Sequence, residues 1–237
     1  MLNKITFFIV LLLTSECLFS QTENNTLIQE GLNFSKEKKS EQAIEVFHKV
    51  LKQQGSSPDV AFYLGNAYFD IQQYDQAILF YNEVLRIKPA TRDALFNRGN
   101  AYYQLKEYAK SIEDFTKLIS TDTLQADVYY NRGNAYYKLG DFKSALTDLS
   151  NAIKYRPKFD QAYFDLGNTY FAMEKWEDAI IAYDKAIDLN NTISSYFFNR
   201  GITEYNLGYP EDACADFKNS EALGDVEATS YLKELCK

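Results

Sequence analysis

Histidine, tryptophan, proline and cysteine are scarce in this sequence. The chain holds one histidine, one tryptophan, four prolines and three cysteines. It has no Cys-x-x-Cys pair and no His-Glu-x-x-His run, so no local motif assembles a metal site. The glycines are spaced too widely for a phosphate-cradling loop. His48 stands alone, at a position expected to be solvated. Positive charge is also short: Lys+Arg 25 against Asp+Glu 33 gives a net charge of -8. A chain of that sign lacks the field that attracts nucleic acid or anionic lipid. With no catalytic grouping, the expectation is a protein that is not an enzyme and needs no cofactor or metal.

Long apolar runs are missing apart from Ile5 to Leu13, which Thr6 interrupts and which is too short to span a bilayer comfortably. With Lys4 before it and small Ser20 after it, residues 1–20 read as an export signal cleaved before Gln21. Uncleaved, the same segment is a membrane anchor. Cys17 does not make a lipobox, because Glu16 precedes it where a small residue is needed. The ending Phe19-Ser20-Gln21 resembles the signals of Bacteroidetes-type bacteria, which implies a mature protein in the periplasm, the cell envelope or outside the cell, with no membrane insertion after cleavage.

What the chain has in abundance is repetition. The phrase Asn97-Arg98-Gly99-Asn100-Ala101-Tyr102-Tyr103 returns unchanged at Asn131 to Tyr137. Gly31, Gly65, Gly99, Gly133, Gly167 and Gly201 mark six units of equal length: 24–57, 58–91, 92–125, 126–159, 160–193 and 194–227. Apolar residues inside each unit follow helical spacing, as in Tyr108, Ile112, Phe115 and Ile119, so each unit predicts two helices. The first runs from the seventh residue before the glycine to the sixth after it, and the second occupies about the next fourteen. A helical glycine costs about 1 kcal/mol against alanine, so six in register need a reason. Close approach of the second helix supplies one, aided by small Ala43, Ala77, Ser111, Ala145, Ala179 and Ala213. Pro89 and Pro157 end units, Gly140 and Gly208 mark turns, and Pro210 suits a first helical turn. Tyr74, Tyr108, Phe142 and Trp176 read as aromatic plugs. Residues 228–237 predict a short capping helix.

These positions, together with Tyr68, Tyr102, Tyr136 and Tyr170 three places after their glycines, resemble the tetratricopeptide repeat pattern. The resemblance implies an all-α, helix-turn-helix solenoid wound as a right-handed superhelix, with six repeats and a C-terminal cap. It also implies a concave groove that takes a peptide or an extended partner segment. The end units depart from the pattern, with Glu204 in the sixth where the middle units carry tyrosine.

One side of each first helix collects the positions six, three and two before the glycine and one and four after it. There stand two asparagine rails. Asn66, Asn100, Asn134 and Asn168 form the first; Asn97, Asn131 and Asn199, interrupted by Asp165, form the second. Aromatic residues, among them Phe96, Tyr103, Tyr130 and Tyr137, lie beside them. An amide side chain offers a donor and an acceptor, matching a peptide group, so these residues are the candidate peptide-binding set. The competing reading is that the asparagines bond between adjacent repeats. Arg98, Arg132 and Arg200 are expected to form salt bridges between repeats. The lysine positions of a carboxylate clamp hold Asp93, Asp127, Phe62, Phe96 and Tyr130, which argues against that mode.

Cys214 and Cys236 are open to two readings, a bridge that staples the cap or a pair of inert thiols. The function expected is that of an interaction scaffold for a protein or peptide partner. The alternative is a structural subunit of a permanent envelope complex. The sequence does not set the oligomeric state.

Overall fold

The structure is a computed structural model that describes residues 22–55, 57–121 and 126–236. The expected export signal, residues 1–20, lies outside these. Among the described residues there are thirteen helices and no strand. They are α1 (22–36), α2 (Ser40–Gln54), α3 (Pro58–Asp70), α4 (Tyr74–Ile87), α5 (Arg92–Gln104), α6 (Tyr108–Thr121) and α7 (Ala126–Leu139). After these come α8 (Phe142–Tyr155), α9 (Asp160–Ala172), α10 (Trp176–Leu189), α11 (Ser194–Leu207), α12 (Pro210–Ala222) and α13 (Val226–Leu235). None of the described helices is long and apolar enough to cross a membrane.

The residues group into two compact units, one ending at Lys106 and the other starting at Glu107. The division falls between α5 and α6, in a turn inside the third repeat, where the sequence shows no break in its period. Stability in repeat arrays is local, so the period of the sequence carries no information about where such a division falls.

In the first unit α2 packs on α3, α3 on α4 and α4 on α5, and α3 also touches α5. The second unit repeats the scheme from α6 to α13, with α7 touching α9 and α9 touching α11. First helices therefore meet first helices one repeat on, and they form the inner layer of each unit.

Each helix pair turns through a residue in the left-handed region seven places after the glycine. Gly140 and Gly208 adopt it, as expected, with φ of 80° and 85°. In the other repeats Lys38, Gln72, Lys106 and Glu174 hold the same conformation at φ near 60°, at a cost of about 1 kcal/mol each for a side chain there.

The repeat glycines are buried for a different reason from the one expected. The small residues twelve places on are fully buried, but the space beside most glycines is taken by a side chain sixteen places on. A Cβ on Gly65 would lie 2.5 Å from the Tyr81 ring, one on Gly167 2.5 Å from Tyr183, and one on Gly31 2.5 Å from Phe47. At Gly201 backbone comes close as well, the Ala213 carbonyl at 3.2 Å.

Two of the turn aromatics behave as plugs: Tyr74 meets Phe69 edge-on at 5.2 Å and Phe142 meets Tyr137 at 5.5 Å. The last helix begins two residues before its expected start, because the Asp225 carboxylate accepts from the Glu227 N–H at 2.9 Å and caps it. Ala228, Tyr231, Leu232 and Leu235 of α13 cover Phe198, Ile202, Ala213 and Phe217. Cys214 and Cys236 are joined by a disulfide, with Cα atoms 5.7 Å apart, which ties α13 to α12.

Candidate functional site

The inner asparagines are partly occupied with one another. In the first unit the Oδ1 of Asn66 accepts from the Tyr81 hydroxyl at 2.8 Å and from the Nδ2 of Asn97, one repeat on, at 2.8 Å. The second unit rebuilds this arrangement: the Oδ1 of Asn168 accepts from Tyr183 at 2.9 Å and from Asn199 at 2.8 Å. Burial pushes both phenols well above their ordinary value, so they remain protonated donors. The bonds between repeats are therefore present, and the four amides are ties as well as candidates for binding. They are not fully used. Among the described residues the Nδ2 of Asn66 and the Oδ1 of Asn97 have no further partner, leaving one donor and one acceptor.

In the repeat of Asn134, Leu149 takes the place of the tyrosine whose hydroxyl meets Asn66 and Asn168, so Asn134 has no such donor. It bonds instead to Asp165, which also accepts from Tyr130 and from the Nδ2 of Asn168 at 3.3 Å. Asp165 thus interrupts the rail in sequence and acts as its acceptor hub in space. Tyr130 packs against Phe159 at a tilt of 43°, with ring centres 4.7 Å apart, and burial raises the pKa of the Tyr137 hydroxyl. Asn100, Asn131, Phe96 and Tyr103 are half-buried on α5 and α7.

His48 is not solvated. It is half-buried, its Nε2 lies 2.9 Å from the Tyr68 hydroxyl, and the rings of Tyr68 and Phe80 meet it edge-on at about 6 Å. The expectation failed because the aromatic residues of the next repeat reach back over it.

The arginines before the glycines take partners that the sequence shows only on aligning the second helices. Arg132 on α7 grips Asp148 on α8 through Nε and Nη2, at 2.7 and 2.9 Å. Its Nη1 reaches Thr116 on α6, in the preceding repeat, at 3.0 Å. Arg200 does the same with Asp216, at 2.7 and 2.8 Å, and with Asp184 of the preceding repeat. Both bidentate carboxylates are 2% exposed. Arg98 donates through Nη1 to Asn82 at 2.6 Å. The aspartate stands fifteen places after the glycine wherever arginine stands one place before it: Asp114, Asp148 and Asp216. Where Leu64 and Leu166 replace the arginine, Phe80 and Ala182 replace the aspartate.

Glu204 joins this network badly. Its Oε1 lies 3.9 Å from the Arg200 Nε, while its Oε2 is buried and has no hydrogen-bond partner among the described residues. Its pKa is pushed up to about 7, by burial first and by Asp216 next.

The family model described as TPR repeat matches residues 65–106, 99–140 and 133–174, and the one described as tetratricopeptide repeat matches 161–192. Together they run over more than half of the chain. The chain belongs to the tetratricopeptide repeat family. A crystal structure of MamA is similar, at 26% identity and a TM-score of 0.66, covering 70% of this chain and 97% of MamA. YrrB, described as a TPR protein with an unusual peptide-binding site, is 20% identical with a TM-score of 0.66 over 81% of this chain and 100% of its own. A tetratricopeptide repeat protein from Parabacteroides merdae is 20% identical at 0.65, over 90% of this chain and 84% of its own. No curated protein matches the chain. Repeats of this family are ordinarily scaffolds for protein contacts, and that is the role these comparisons support.

Two outcomes test the charged ties. Arg132→Leu strands a buried carboxylate and should cost about 3 kcal/mol, whereas Arg132→Leu with Asp148→Ala, copying the Leu166 and Ala182 pair, should fall within about 1 kcal/mol of the parent. Urea melts of the single and double variants check it. For Glu204 the folded pKa lies above the unfolded one, so the folded state holds the proton longer and stability falls as pH rises from about 4.5 to about 7. Glu204→Gln should therefore stabilise by about 1–3 kcal/mol at pH 8 and by little at pH 5. Thermal melts at the two pH values measure this, and a gain confined to pH 5 would contradict it.

Proposed function

We propose that the protein is a non-catalytic interaction module that holds an extended segment of a partner protein along the inner faces of its first helices. The observation that carries this reading is the half-used asparagine pair. Asn66 and Asn97 lock each other through one amide group apiece and keep a donor and an acceptor open, the complement of a peptide group. The tie also holds both amides in place before a ligand arrives, so little side-chain entropy is lost on binding. Phe96, Tyr103, Tyr130 and Tyr137 supply apolar and stacking contact beside them. YrrB, built on the same fold, has a peptide-binding site of its own. With the leader read at residues 1–20, the module works in the bacterial envelope or beyond it.

A second reading, a permanent subunit of an envelope complex, draws on Tyr209, which is 54% exposed in the turn between α11 and α12. Site-specific photocrosslinking in native envelope preparations separates the two. A crosslinker replacing Tyr103 or Tyr137 should capture a partner, and one replacing Leu79 or Ile181, both exposed on second helices, should not. Capture only at Tyr209 would support the fixed interface, and capture only at Leu79 and Ile181 would contradict both.

A further inference from the structure

The inner positions carry charge of one sign. Across repeats two to six, the five inner places of the first helices include Asp59, Asp93, Asp127 and Asp165 and no lysine or arginine. Asp127 is exposed and already paired with Arg156. Asp165 is in a different state. It is half-buried on α9, and every group that bonds its carboxylate is neutral: the Tyr130 hydroxyl and the amides of Asn134 and Asn168. Lys138 is the cation whose field reaches it among the described residues, yet no ion pair joins them within 4 Å. The Lys138 ammonium lies instead 5.7 Å from the centre of the Tyr137 ring. The charge of Asp165 extends to the hydroxyls of Tyr137, Tyr183 and Tyr196, which it helps to keep protonated.

A half-buried carboxylate held only by neutral donors keeps much of its desolvation cost, and an incoming cation removes that cost most effectively. In the third, fourth and sixth repeats the equivalent places, Asn97, Asn131 and Asn199, are uncharged and suit any peptide group, and the second carries the neutral Tyr63. Position 165 is where the face stops being indifferent to sequence.

We propose that Asp165 is the specificity anchor of the inner face, taking the guanidinium or ammonium group of a positively charged, extended partner segment. The inference rests on the groove reading and gives its occupant a sign. The Tyr130 ring, fixed by its bond to Asp165 and its tilted contact with Phe159, offers a surface for the aliphatic stem of that side chain. The uncompensated charge of Asp165 also opposes an acidic segment or a free C-terminal carboxylate, consistent with the missing lysines of a carboxylate clamp.

The test is calorimetric titration of the purified protein with two end-blocked peptides, one alternating alanine and arginine, the other alanine and glutamate. The arginine peptide should bind, more weakly as salt rises, and the glutamate peptide should not. Asp165→Asn should weaken the arginine peptide about tenfold, while Asp188→Asn, at an exposed ion pair on α10, should leave it unchanged. Should Asp165→Asn not fold, the comparison of the two peptides on the unaltered protein still decides the sign. Equal affinity of the arginine peptide for the parent and Asp165→Asn would overturn the anchor and leave the groove standing. Tight binding of the glutamate peptide would overturn the charge preference. Failure of both peptides to bind would remove the groove reading and the anchor together.

Discussion

The structure depends on an aromatic ring pressed against a glycine. In the second and fifth repeats the ring is a tyrosine that serves two ends at once. Its carbons occupy the space where a glycine Cβ would stand, at Gly65 or Gly167, and its hydroxyl reaches the very next side chain, Asn66 or Asn168. The ring therefore fixes the rotation of the first helix and orients the asparagine that the helix presents inward. From that asparagine the tie passes to the following repeat, through Asn97 or Asn199. Helix packing, contact between repeats and the chemistry of the inner face follow from one residue and its seat.

The fourth and sixth repeats solve the same problem with charge. A buried aspartate on the second helix and an arginine on the first replace the apolar pair, and the arginine extends its free nitrogen to the repeat before it. Such a pair contributes specificity of register more than net stability, since two desolvated ions roughly offset their attraction. These repeats lose the tyrosine hydroxyl, because Leu149 and Phe217 fill the ring position. Asn134 and Asn168 both donate to Asp165, which sets a negative focus among the amides of the second unit.

The fold was legible because its signals are repeated. Six glycines in register, small residues at a fixed offset and the plugs at the turns each report the same pair of helices. The limits of α5 came within one residue, because both ends are marked by turns that recur elsewhere in the chain. The candidate face was legible only as a set of positions. Which amide groups stay open depends on hydrogen bonds across repeats, and these depend on residues thirty or so places away in sequence, such as Asn97 for Asn66. The arginine partners were present in the sequence as a matched substitution between positions one before and fifteen after the glycine. Reading it requires aligning the two helices of a repeat as a unit. His48 was misplaced for a related reason: its surroundings come from Tyr68 and Phe80, in the next repeat.

The ring seat is open to direct measurement by comparing alanine at two glycines. A Cβ at Gly167 would lie 2.5 Å from a Tyr183 ring that is 1% exposed and has nowhere to move. At Gly133 the neighbours are 3.2 Å away and include the branched end of Leu149, which can yield a few tenths of an ångström. Alanine gains about 1 kcal/mol over glycine in helix propensity at either site. Denaturant melts should therefore show Gly167→Ala losing at least about 2 kcal/mol while Gly133→Ala stays near neutral. Equal and small effects at the two positions would contradict the account.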